Sequence, residues 1–425
     1  MTMSVAEAFR MLFGATAPVR FTAYDGSATG PEDAAYHVDL RSERGLNYLL
    51  TSPGSVGMAR AYLMGDLVVD PIDEADPYDV LVFFEDALTP SRPGLARLPE
   101  LLSFLRAHPP RLPQLPPQET PGNLHRLAHG LTHGRRRDAE AIHHHYDVSN
   151  RFYELVLGES MAYTCACYPT PESTLEEAQY EKFDLVCRKL GLEPGMRLLD
   201  VGCGWGGMVR HAVQHYGVTA LGATLSKEQA TWAQARIEAD GLGDRARVVH
   251  ADYRDVTETG FDAVSSIGLT EHIGVKNYPS YFRFLHERLK PGGRILNHCI
   301  TRPDNTEPGI PKDGFINKYV FPDGELTGSG DIVRTMEDTG FEVRHQENLR
   351  EHYALTTRAW CRNLSKHWEE CVEEVGVGTA RVWGLYLAGS SLSFERNRIQ
   401  LHQVLASKTT QDGTSGFSLR PTWGS

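Results

Sequence analysis

An apolar run, Leu198-Leu199-Asp200-Val201, breaks into alternating glycines at Gly202-Cys203-Gly204-Trp205-Gly206-Gly207 and then into a helical pattern. That order reads as a strand, a tight loop and a helix start. It is the opening unit of a doubly wound α/β sheet, where exposed backbone N–H groups at the helix end meet a nucleotide-like cofactor. Gly202, Gly204 and Gly207 also satisfy G-x-G-x-x-G, a pattern too common in glycine-rich loops to name the cofactor alone.

From about residue 193 onward, strand-like and helix-like segments alternate, as in a mostly parallel sheet covered on both faces. The expected strands are Met196–Val201, Val218–Leu225, Ala246–Asp252, Phe261–Ile267, Arg294–Ile300, Phe341–Glu347 and Ile399–Ala406. The fold class is therefore α/β, a doubly wound, mostly parallel seven-stranded sheet, with an inserted pair of long helices over residues 354–375 and 379–396. Such an insertion commonly makes a lid or substrate wall.

A chain of 425 residues exceeds one hydrophobic core, so a second domain is expected. Residues 1–90 read as a small mixed α/β domain for lipid docking or dimerisation. It has a strand at Val19–Tyr24 and helices at 56–67 and 78–88. Residues 91–137 read as a linker, 138–410 as the main domain and 411–425 as a tail.

The net charge of −12 argues against nucleic acid as a partner. Residues 91–137 run the other way, with eight arginines, eight prolines and only two acids, Glu100 and Glu119. Such a stretch suits an anionic lipid surface, or is simply a solvated linker. No apolar run approaches the roughly 20 residues of a membrane span, and the first residues lack a secretory pattern. The expected location is cytoplasmic, peripheral to the membrane. Seven cysteines without a C-x-x-C pair suit reduced thiols. His125, His129 and His133 share helical spacing and His143 to His145 are consecutive, but no carboxylate or thiolate completes either set, so no metal is expected.

In a doubly wound sheet the residues after each strand carry the chemistry. Here they are the glycine loop, Thr224-Leu225-Ser226 leading to Gln229, Asp252-Tyr253, Glu271-His272 and His298-Cys299-Ile300. A dinucleotide site wants an acid about 20 residues past the glycine loop, and Gly222-Ala223-Thr224 has none. Asp252 and Tyr253 stand ready to hold an adenine by hydrogen bond and stacking.

Several ordered motifs then resemble the cyclopropane fatty acid synthases, S-adenosylmethionine-dependent enzymes acting on unsaturated acyl chains. They are His145-Tyr146-Asp147-Val148-Ser149-Asn150, residues 161–166, 199–206, 224–229, Glu271-His272-Ile273-Gly274, His298-Cys299-Ile300, Lys318-Tyr319-Val320-Phe321-Pro322 and His352-Tyr353-Ala354. The resemblance covers about residues 142–406, and residues 54–66 resemble the amino-terminal domain of longer bacterial members.

The resemblance implies the class I methyltransferase form of the sheet and a cofactor site of Tyr163, Thr164, Asp200, Gly202, Gly204, Gly206, Thr224, Leu225, Ser226, Gln229, Asp252 and Tyr253. It also implies a bound bicarbonate as base, held by Cys165, Glu271, His298, Tyr353 and the backbone of Ile300. The substrate would be an unsaturated acyl phospholipid and the product a cyclopropane or a methylene branch, the latter calling for a reductase partner. Self-association is a further expectation. Capping the next helix is the competing role for Glu271, and packing is that for His298, Tyr353, Cys165 and Trp205. An amine N-methyltransferase and a silent lipid- or cofactor-binding protein are the alternative functions. The family commonly has Thr at Cys299 and Phe-Pro-Gly-Gly at Phe321-Pro322-Asp323-Gly324. Ser390 replaces a late-helix cysteine, which removes support for a covalent cysteine mechanism.

Overall fold

The computed structural model describes residues 3–88, 97–119, 148–306, 314–322, 324–420 and 423. His125, His129, His133, the run from His143 to Asp147, Asp323 and much of the 91–137 stretch lie outside the described residues. The chain divides into two compact units. The first comprises 1–120, 312–320 and 364–392, and the second 121–311, 321–363 and 393–425.

The first unit holds a four-stranded sheet of β1 (Val19–Ala23), β2 (Ala28–Thr29), β3 (Tyr36–Leu40) and β4 (Leu67–Asp70), in the order β2-β1-β3-β4. Strands β1 and β3 run parallel and the outer pairs antiparallel. Alternating residues Val19, Phe21, Ala23, Val38 and Leu40 face a core closed by the helix Val5–Phe13. The helix expected over 56–67 ends at Leu63, and its last residue instead opens β4.

Part of the Pro/Arg-rich stretch belongs to this unit. It contains the helix Leu98–Ala107, which places its first prolyl residue in the opening turn, where no backbone N–H is required. Further on, Glu119 is buried, and its carboxylate accepts from Arg60 at 2.6 and 2.5 Å and from the Tyr319 hydroxyl at 3.0 Å. Lys318 adds a second cation at 3.3 Å. Elsewhere in the unit Arg381 pairs with Glu74 at 2.5 Å. Segments distant in sequence thus complete one unit.

The second unit is built on a seven-stranded sheet. Its strands are β5 (Arg197–Val201), β6 (Thr219–Thr224), β7 (Ala246–His250), β8 (Phe261–Ile267), β9 (Leu289–Thr301), β10 (Glu342–Asn348) and β11 (Gln400–Ser407). The order is β10-β11-β9-β8-β5-β6-β7, parallel throughout except for β11, which is antiparallel to both neighbours. All seven expected strands are present.

Both faces of the sheet are covered. Leu198, Ala263, Leu296 and Leu405 join one core, and their chain neighbours Leu199, Val264, Ile295 and Val404 join the other. On the first face the helix Leu175–Leu190 starts with a reciprocal Thr174/Glu177 cap and ends on left-handed Gly191. The two expected long helices of the insertion are three, Arg350–Lys366, Trp368–Val375 and Val377–Glu395. Gly376, at φ +78, follows the middle one and separates it from the last.

Candidate active site

Above the carboxyl ends of β5, β6 and β7 lies an open cleft of about 500 Å³. Its wall includes six of the expected cofactor residues, Gly202, Gly204, Thr224, Leu225, Gln229 and Tyr253. Gly202 has φ +71, and a Cβ there would come 3.0 Å from the Leu269 side chain. Glycine thus serves both the turn and the close approach of Leu269 to the loop. Thr224 donates to the Gln229 Oε1 at 2.8 Å, which fixes an amide beside the end of β6.

The other expected cofactor residues stand around this wall. Gly206 precedes the helix Gly207–Tyr216, and Ser226 caps the helix Lys227–Ala239 by accepting from the Gln229 N–H. The Asp252 carboxylate is taken by Arg254 at 2.8 and 2.5 Å. Asp200 lies beneath the loop and accepts from Ser265 at 2.6 Å; burial raises its carboxyl to about 7 against that bond and the nearby Lys182 charge. Thr164 reaches the wall from another direction, its Cγ2 standing 2.9 Å from where a Cβ on Gly268 would be.

The segment carrying Tyr163, Thr164 and Cys165 hangs on the helix Leu175–Leu190. Gln179 donates to the Thr164 carbonyl at 2.9 Å, and Lys182, one turn on, donates to the Thr164 hydroxyl at 2.9 Å. Burial lowers the Lys182 ammonium to about 8 despite the adjacent Cys167, Cys165 and Asp200. Tyr163 packs between Tyr153 and Trp360 at ring separations of 5.8 and 5.4 Å.

Sequence reasoning passed over Ala223, Ala251, Gly268, Leu269 and His272 as wall residues. Of these, His272 was visible as the second half of Glu271-His272. Trp205, for which packing competed with function, donates its indole N–H to Asn150 Oδ1 at 2.9 Å. This bond joins Asn150 to the glycine loop.

Four of the five expected catalytic residues are joined by a chain of contacts running from the end of β8 to the helix Arg350–Lys366, and the fifth, His298, lies two residues before Ile300 on β9. Glu271 opens the short helix Thr270–Ile273 after β8, and its Oε1 accepts from the Ile300 N–H at 2.8 Å. Ile300 pairs with Leu401 of β11, whose carbonyl takes the Leu349 N–H at 2.8 Å. The Leu349 carbonyl then accepts from the Tyr353 N–H at 3.1 Å and from the Cys165 thiol at 3.7 Å. Tyr353 stacks on Phe394 at 4.4 Å.

Among the described residues, two polar atoms here are buried without a hydrogen-bond partner, Glu271 Oε2 and His298 Nε2. Glu271 keeps a partly exposed edge, but its carboxyl is buried. That burial raises it to about 7, opposed by the Ile300 N–H. Burial, with Lys182 and Lys189 nearby, holds His298 well below its ordinary range, so the ring is neutral. Burial pushes the Cys165 thiol well up, leaving no thiolate nucleophile. Cys299, the family departure, is buried and accepts from Asn297 at 3.3 Å. The site thus combines a small-residue cleft suited to an adenosyl group with two buried polar groups, a neutral imidazole and a carboxyl poised near neutrality.

Comparison with known proteins identifies the family. Residues 133–404 match the family described as mycolic acid cyclopropane synthetase. A probable fatty acid methyltransferase of Mycobacterium tuberculosis is 54% identical over 423 residues, covering 99% of this chain and 98% of its own. The cyclopropane-fatty-acyl-phospholipid synthase of Escherichia coli is 35% identical, covering 63% of this chain and 68% of its own. Among solved structures, the cyclopropane synthase MmaA2 of Mycobacterium tuberculosis is 34% identical with a TM-score of 0.60, over 63% of this chain and 98% of that one. The mycolic acid cyclopropane synthase CmaA1, solved with SAH and CTAB, is 33% identical with the same TM-score, over 63% and 97%. The chain belongs to the mycolic acid cyclopropane synthetase family of S-adenosylmethionine-dependent methyltransferases.

Proposed function

We propose that this protein transfers a one-carbon unit from S-adenosylmethionine to the cis double bond of an unsaturated acyl chain in a membrane phospholipid, giving a cyclopropane or a methylene branch. The observation that carries the reading is the pair of buried, unpartnered atoms, Glu271 Oε2 and His298 Nε2. The relatives, a probable fatty acid methyltransferase and a cyclopropane-fatty-acyl-phospholipid synthase, point to the same substrate class.

The glycine loop, Thr224, Gln229 and Tyr253 would hold S-adenosylmethionine, with Tyr163 and Thr164 completing the wall. When bound, that cofactor supplies an electrophilic methyl carbon on sulfonium sulfur. An isolated alkene has no acidic proton, so attack by its π electrons leaves positive charge on the acyl chain and one proton to be removed. A water-free pocket protects that charge from hydration.

The residues divide the remaining work. His298 offers Nε2 and Tyr353 its hydroxyl to a small anion such as bicarbonate, while the Ile300 N–H holds Glu271 Oε1 in place. Glu271 Oε2, on a carboxyl with a pKa of about 7, accepts the released proton and passes it outward. The Tyr353 and Phe394 rings present electron-rich faces to developing positive charge.

At the lipid side, the first unit exposes Leu98, Leu102, Leu112 and Leu115 on a stretch that also exposes Arg97, Arg106 and Arg111. Apolar and cationic groups together suit the face of an anionic bilayer, so the protein acts peripherally. Among the described residues no helix is long and apolar enough to cross a membrane.

Methyl-labelled cofactor incubated with liposomes of cis-monounsaturated phospholipid tests the proposal. NMR of the recovered chains distinguishes the isomeric products: cyclopropyl signals mark ring closure, and vinylidene signals mark a branch that needs a separate reductase. If no label reaches lipid, the phospholipid assignment fails, and acyl carriers and amines become the substrates to try.

A further inference from the structure

His298 is useful to an anion only if its site-facing nitrogen carries a proton. A neutral imidazole has one N–H and one lone pair, and the partner of the far nitrogen decides which is which. In this protein that partner is a glutamine.

Gln403 sits directly opposite His298 in the β9–β11 ladder, and both side chains are fully buried. A glutamine with no exposed surface loses its hydration, so each end of the amide needs a partner. Both partners are present. Lys189 Nζ lies 2.6 Å from the Gln403 Oε1, and Gln403 Nε2 lies 3.2 Å from His298 Nδ1.

The direction of each bond follows from chemistry. Protonated lysine can only donate, so the amide atom facing it is the carbonyl oxygen. The amide NH₂ therefore faces His298, and NH₂ only donates, so Nδ1 must present its lone pair. The single ring proton then resides on Nε2, the atom that is buried and unpartnered. Lys189 is itself fully buried at the end of the helix Leu175–Leu190 and is anchored by an ion pair to Glu347 of β10.

We propose that Gln403, oriented by Lys189, is a positioning residue that locks His298 in the Nε2–H tautomer and so makes the site-facing nitrogen a donor. The inference deepens the function proposed above and rests on it for the claim that His298 meets the reacting centre. Without the lysine the amide could turn over and present its oxygen to Nδ1. The proton would then move to Nδ1, and the site-facing nitrogen would repel an anion.

The test is ¹⁵N NMR of histidine-labelled protein, with the His298 signal assigned by its loss in His298→Ala. The expected result is a bare Nδ1 and a protonated Nε2 at neutral pH. In Gln403→Glu, which keeps the shape and the lysine contact, a carboxylate oxygen replaces the amide NH₂. Protonated Nδ1 and a fall in kcat on the order of 10²-fold are expected, with cofactor affinity within about twofold of the parent. If Gln403→Glu does not fold, Lys189→Met serves, with a mixture of the two tautomers expected.

A parent protein showing Nδ1–H, or an unchanged Nε2–H tautomer in the folded variants, overturns the proposal whatever the activity. If the tautomer changes as expected but turnover does not, the relay stands, and the placement of His298 at the chemistry fails instead.

Discussion

The two halves of the site are made of different materials. The cofactor cleft is mostly backbone and small side chains, and its polar members are already engaged: Thr224 with Gln229, Ser226 with the helix it caps, Asp252 with Arg254. The region at the ends of β8 and β9 instead holds Glu271 Oε2 and His298 Nε2 buried without hydrogen-bond partners. A satisfied cleft binds by shape and can do so repeatedly at little reorganisation. An unsatisfied pocket has paid its desolvation in advance and recovers it when a reacting group arrives.

Substitutions should therefore separate affinity from turnover. Glu271→Gln removes the proton acceptor while keeping its size. Expected is a loss in kcat of about 10³-fold with cofactor affinity within about twofold, measured by single-turnover label transfer and cofactor titration. A parallel loss of cofactor affinity would break the division between the halves.

The same carboxyl ties activity to stability through pH. With its folded pKa raised from the usual 4.5 to about 7, Glu271 stays protonated in the folded state over a range where the unfolded chain has ionised. Its contribution is fully present below the unfolded value and is lost as pH rises through about 7. Turnover has the opposite slope, rising as the carboxylate forms. Urea unfolding at about pH 8 should find Glu271→Gln more stable than the parent by roughly 1–3 kcal/mol, with the difference vanishing near pH 4. Asp200, also raised to about 7, adds a slope of the same sign that the variant retains.

In the cleft, Gly202→Ala must hold φ +71 and crowd Leu269 at 3.0 Å. Cofactor affinity should fall about tenfold, with kcat at saturating cofactor changed little, as calorimetry and saturation kinetics would show. The smallest effect is expected for Trp205→Phe, which keeps an aromatic ring but loses the bond to Asn150. About 1 kcal/mol of stability should go, read by thermal or urea unfolding, with both kinetic constants near those of the parent.

The contrast also explains what could be read from residue order. All seven sheet strands were legible: the central parallel ones as short apolar runs, the first of them ended by Gly202 to Gly207, and the half-exposed edge strand β10 and antiparallel β11 by their place after helices. The cleft was half legible, since the wall residues that follow a strand directly could be placed from topology. Gly268 and Leu269 could not, because they enter the wall by facing Thr164 and Gly202, which are distant in the chain. Gln403 escaped notice altogether. Its meaning depends on an antiparallel register that sets it against His298 and on a lysine more than two hundred residues earlier. The make-up of the first unit was hidden for the same reason: nothing local to Glu119 announces that its partners are Arg60, Lys318 and Tyr319.

That last cluster bears on the order in which a ribosome delivers this protein. The residues that start the first unit emerge earliest, yet Tyr319, Lys318 and the 364–392 segment that complete it come after most of the methyltransferase sheet. Until they arrive, Arg60 and Glu119 have each other but not their full surroundings. The unit begun first is therefore finished late, and the nascent chain must carry a partly open domain through the synthesis of the larger one.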